Sequence, residues 1–164
     1  MATKANFTAD EWKTIVISPM LAGMAVTLAE PSGLWGTMKE GLASGQALLD
    51  AKKDAGANEL AKAIAGDWET GEGRNDARDG LRTQLSGKSP TEMKQQILTV
   101  LTQVGKIIDA KAPSEAPAFK SWLTNVAQKA AEASTEGGFM GFGGVQVSDA
   151  EKASLTDVAK ALGN

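Results

Sequence analysis

Apolar residues along this chain recur three and four apart in every long segment, and no stretch alternates long enough to build a sheet. That period confines the fold to helices packed on one another, because each helix has one apolar stripe to bury. Three capping boxes mark where helices begin: Thr8 with Glu11, Ser89 with Glu92, and Ser148 with Glu151. In each, the hydroxyl and the carboxyl satisfy two backbone donors that the first helical turn leaves open.

The first helix is expected over 8–28, with Phe7 stapled onto Trp12 and a stripe through Ile15, Val16, Met20, Met24 and Leu28. Pro19 removes a backbone donor, which predicts either a kink or a fresh start with Ser18 as cap. A second helix is expected over 34–53, with Gly33, Thr37, Gly41 and Gly45 forming an edge of small residues. Glycine inside a helix costs about 0.5 to 1 kcal/mol relative to alanine. Gly41 and Gly45 therefore point to a close helix crossing, within the monomer or between copies. Further helices are expected over 58–69, 75–85, from Pro90 to about 111, from about Ser114 to 136, and after Ser148. The expected fold class is all-α: an antiparallel helix bundle of five or six helices, four in the main core, in one domain over 1–164. Within it, 66–80 reads as a charged irregular hairpin and 137–147 as a glycine-rich apolar loop.

The chain has 164 residues, no histidine, no cysteine and no tyrosine. It therefore has no imidazole for proton shuttling, no thiolate nucleophile, and none of the histidine or cysteine ligands that usually hold zinc or haem iron. A ferritin-like di-iron centre with its usual Glu-x-x-His pairs is excluded for the same reason. The net charge of −3 gives no basic footprint for nucleic acid. The uncharged run 14–29 is shorter than the roughly 20 residues a spanning helix needs, so it reads as a buried central helix, with no membrane partner. The absence of a signal-peptide core and of cysteine makes a cytoplasmic location the default.

Asp67, Glu69, Glu72, Asp76 and Asp79 against Arg74 and Arg78 give the hairpin a local charge of −3, equal to that of the whole chain. Hard cations accept all-oxygen ligands, so these five carboxylates are the candidate metal ligands. Aligned from Asp67, the EF-hand pattern fails, with Glu72 where glycine is needed and Arg78 where the bidentate glutamate belongs. The charge run reads first as a solvated turn. All three arginines, Arg74, Arg78 and Arg82, lie here at spacings of four, placing them on one stripe if the segment is helical. They are expected to meet carboxylates elsewhere in the fold or an anionic partner. The loop from Gly137 to Gly144 lacks the Lys-Ser/Thr of a phosphate-binding loop and carries Phe139, Met140 and Phe142 instead. Closure of one end of the bundle by Phe139 and Phe142 is the expected role. The four tryptophans are expected in the core.

Two stretches, 6–36 with its Glu11-Trp12 and Ser18-Pro19 steps and 119–163 with its glycine-phenylalanine loop and Ser148-Asp149-Ala150-Glu151-Lys152, carry a resemblance. The chain resembles a group of small uncharacterised bacterial proteins, cyanobacterial ones among them, in which a similar loop precedes a capped last helix. The resemblance implies a stand-alone intracellular helical protein and lends no catalytic residues. The functional expectation is a non-enzymatic interaction or scaffold protein without a cofactor, acting with a protein partner or as a homo-oligomer. The alternatives are a binder of a small apolar or anionic ligand, and a carboxylate metal-dependent hydrolase.

Overall fold

The computed structural model describes residues 2–29, 58–136 and 147–164, with side chains described through Glu132 in the second of these. The expected helix over 34–53, with Gly41 and Gly45, and the loop carrying Phe139 and Phe142 lie outside the described residues.

A single 3-10 turn, Lys4–Asn6, precedes α1, Ala9–Val16. Thr8 and Glu11 form their capping box, and Phe7 packs on Trp12 with ring centroids 5.8 Å apart, so the expected start signal is used in full. The chain breaks at Ile17, and α2 runs Ser18–Thr27 with proline in its first turn. Of the two expected outcomes at Pro19, the structure shows the fresh start. Ile17, not Ser18, is the cap residue, and the Ser18 hydroxyl donates to the Ile15 carbonyl at 2.6 Å. Leu21, Ala22, Ala25 and Val26 are fully buried, while Met20, Met24 and Leu28 from the expected stripe are half-buried.

Two helices follow, α3 Glu59–Glu69 and α4 Gly71–Leu85, and then the long pair α5 Pro90–Lys111 and α6 Ala116–Glu136. The last is α7, Asp149–Leu162, begun by the Ser148–Glu151 box. Among the described residues every regular element is helical. Lys120 of α6 pairs with Asp109 across the α5–α6 turn at 2.8 Å, and Thr124 of α6 meets Asn164 just beyond α7. Each helix of this trio therefore runs against the one before it, which leaves α5 and α7 parallel. Lys94 accordingly reaches Asp157, and further along the same pair Gly105 lies under the end of α7.

The core lies where α2 packs against α6, α5 and α7. Leu21 and Val26 meet Ile97, Leu101 and Ile108 of α5, Phe119 and Leu123 of α6, and Leu162 of α7 in one apolar cluster. The α2–α6 crossing is lined by small residues: a Cβ on Gly23 would stand 3.6 Å from that of Ala130. At Gly105 a Cβ would come within 2.8 Å of the Leu162 carbonyl oxygen, so α5 and α7 meet there only because no side chain intervenes. The expected single buried helix over 14–29 is instead the end of α1, the break at Ile17 and the mostly buried α2, and among the described residues no helix is long and apolar enough to cross a membrane.

The segment 66–80 departs from the expected irregular hairpin. It is helical on both sides of one residue, Thr70. Thr70 donates from both its amide and its hydroxyl to the Asp67 carbonyl, and its hydroxyl accepts from the Gly73 amide at 2.9 Å. A Cβ on Gly73 would collide with that same carbonyl. The glycine here permits a close approach between two helices and does not break one.

Candidate functional site

The corner between α3 and α4 faces the start of α1 across an open cleft of about 250 Å³. Its geometry follows from local rules. The Thr8 cap and the Phe7 staple fix the first turns of α1 and with them the indole of Trp12, a residue only 4% exposed. The last turn of α3 presents Asp67, and the Trp12 Nε1–H donates to Asp67 Oδ2 at 2.5 Å. Lys4, on the 3-10 turn, places Nζ 3.0 Å from the same oxygen and 5.9 Å from the Trp12 ring centroid. One carboxylate oxygen thus accepts from an indole and an ammonium together, a charge-assisted arrangement that fixes its position. Glu72 and Asp76, four apart on α4, share one helical face and complete the acidic side; Lys13, Val16 and Ala77 line the remainder.

The surrounding contacts hold the corner in place. The Trp68 indole donates to the Val16 carbonyl at 3.2 Å, tying α3 to the open end of α1. Arg74 Nη1 donates to the carbonyls of Trp68 and Glu69, at 3.1 and 2.9 Å, and so satisfies the C-terminus of α3. Glu11, beside the cleft on α1, pairs with Lys111 at 2.7 Å. That ammonium, and next the Thr8 backbone amide, hold the Glu11 carboxyl below the ordinary carboxylate value. Glu92 is likewise held low by the Ser89 backbone amide of its own capping box.

Of the five candidate metal ligands, the structure brings Asp67, Glu72 and Asp76 to the cleft, while Glu69 and Asp79 are not among its lining residues. Among the described residues no group of three or more carboxylates is placed to hold a metal ion. Asp67 is already engaged by Lys4 and Trp12. The arginine stripe is real, since α4 is helical, but its members differ. Arg74 caps α3, whereas Arg78 and Arg82 are exposed and make no ion pair among the described residues.

Lys4, Trp12, Lys13, Thr70 and Gly73 are site residues that sequence reasoning did not find. Trp12 and Asp67 lie 55 residues apart, and no local pattern links them. The available signals were the cap that fixes Trp12 and the Thr70-to-Gly73 spacing of a second cap. What the cleft offers chemically is recognition: oriented carboxylates, two ammonium groups and an indole wall. No known protein family, no curated protein sequence and no solved structure matches this chain.

Proposed function

We propose that this chain is a non-enzymatic interaction protein, a helical bundle that presents the cleft at Trp12 and Asp67 as its recognition site. The observation that carries the reading is the double engagement of Asp67 Oδ2 by Trp12 and Lys4 at the mouth of a cleft walled by an indole. Concave sites with an apolar wall and a few fixed polar groups are the usual form of small-ligand recognition. A volume of about 250 Å³ suits a group smaller than a drug-sized ligand, such as a small metabolite or one projecting side chain. The hydrolase alternative finds less support, because the carboxylates it needs are divided between the cleft and the outer surface.

The test is a screen of small cationic, anionic and neutral polar fragments against the isotope-labelled protein, read by amide chemical shifts. Saturable shifts confined to Val16, Gly73, Ala77 and their neighbours are expected for at least one fragment class. Shifts found only elsewhere, or none at millimolar fragment, would contradict the assignment of this cleft.

A further inference from the structure

We propose that the cleft is a seat for an alkylammonium group, and that Lys4 occupies it as the chain's own stand-in until such a ligand displaces it. The proposal rests on the reading of the cleft as a recognition site and names the class of ligand. Lys4 Nζ makes the two contacts an ammonium ligand would seek, a carboxylate oxygen at 3.0 Å and an aromatic face at 5.9 Å. It holds them loosely, since its side chain is 63% exposed and exposed ion pairs are weak. The turn that carries it contributes no buried residue, while Ala2 and Phe7 on either side are buried. Lys4 can therefore swing out by side-chain rotation alone, with both anchors in place.

Charge decides which ligand takes the vacated seat. With Lys4 withdrawn, the charged groups lining the cleft among the described residues are Asp67, Glu72 and Asp76 with Lys13, three carboxylates against one ammonium. An anion would meet a repulsive field there, and a neutral group would leave the Asp67 carboxylate without its cation. The wall behind the ammonium is apolar, bordered by the buried side chains of Val16 and Ala77. The same chemistry is offered by a free primary amine and by a lysine side chain of a partner.

The experiment follows the Trp12 indole N–H in the full chain by two-dimensional NMR, with Trp12→Phe identifying the signal among the four tryptophans. The probes are n-butylammonium, butyrate and n-butanol at matched ionic strength. Only n-butylammonium should shift the indole signal saturably. Lys4→Met, which keeps the alkyl stem, should tighten its binding by roughly two- to fivefold, the scale of competition from an exposed ion pair. Lys13→Met removes the same charge from the same cleft without freeing the seat and should tighten binding less. Asp67→Asn retains an acceptor for the indole and should abolish saturation.

Equal tightening by Lys4→Met and Lys13→Met would overturn the seat and leave only a general charge effect. Saturation by butyrate or n-butanol in place of n-butylammonium would overturn the ligand class while sparing the recognition site. No saturable shift at the cleft from any probe would overturn both. Nα-acetyl-lysine methylamide separates the sources. Tighter binding than n-butylammonium assigns the seat to a partner's lysine, weaker binding to a free amine, and either supports the proposal.

Discussion

In the core between α2, α5, α6 and α7, the missing Cβ of Gly105 lets α5 run under the last carbonyl of α7, beside an apolar cluster shut away from water. At the α3–α4 corner, the missing Cβ of Gly73 lets one helix start against the last turn of another, and what gathers around it is charged and open to water. The same residue type permits a close approach in both places, yet the two approaches serve different ends. The core crossing brings Leu101, Ile108 and Leu162 out of water together, and burial of such side chains contributes about 1.5 to 3 kcal/mol each. The corner brings a carboxylate, an indole and an ammonium into one small space. Its polar contacts contribute little net stability where water reaches them. The core therefore carries the fold, and the corner is free to carry recognition.

The largest effect should come from the core. Phe119 is fully buried between α6 and its neighbours and packs on Trp122 with ring centroids 5.5 Å apart. Phe119→Ala should cost about 3 to 5 kcal/mol in urea denaturation. A loss no larger than that of a surface substitution would mean that the core does not dominate stability.

A smaller, pH-dependent effect should come from Glu11, which joins α1 at the cleft to the end of α5. Its folded-state pKa lies below the ordinary value of 4.5, chiefly because of the Lys111 ammonium. Its contribution is therefore fully present above pH 4.5 and is lost as pH falls through the lowered value. Glu11→Gln keeps a capping acceptor but removes the charge. It should be less stable than the parent at neutral pH, and the gap should close on acidification below 4.5. A gap that is constant across that range would assign the effect to packing and not to ionisation.

The contrast between core and corner also governs what could be read from the sequence. Thr8, Ser89 and Ser148 announced their helices because a cap is a relation between residues three apart. The stripes of α5 and α6 were legible for the same reason, through Ile97, Leu101, Val104 and Ile108 and through Phe119 and Leu123. Pro19 announced the fresh start, but the stripe expected through Met20, Met24 and Leu28 was not the buried one, because α2 is buried on most of its circumference and leaves those three half-buried. The segment 66–80 read as irregular, since what Gly73 permits depends on where the Asp67 carbonyl lies. Of the site, the carboxylates were legible as a cluster. Their division between cleft and surface, and the partnership of Trp12 with Asp67, belong to tertiary structure alone.

The measurement that bears most directly on this account is urea denaturation of Asp67→Asn beside Phe119→Ala. The substituted amide would still offer an oxygen to the Trp12 indole, and the ion pair given up involves a largely exposed Lys4. Asp67→Asn should cost about 1 kcal/mol or less, well short of the Phe119→Ala loss. A loss at Asp67 that matches the one at Phe119 would show the corner to be a structural clasp, and would contradict the assignment of the cleft to recognition.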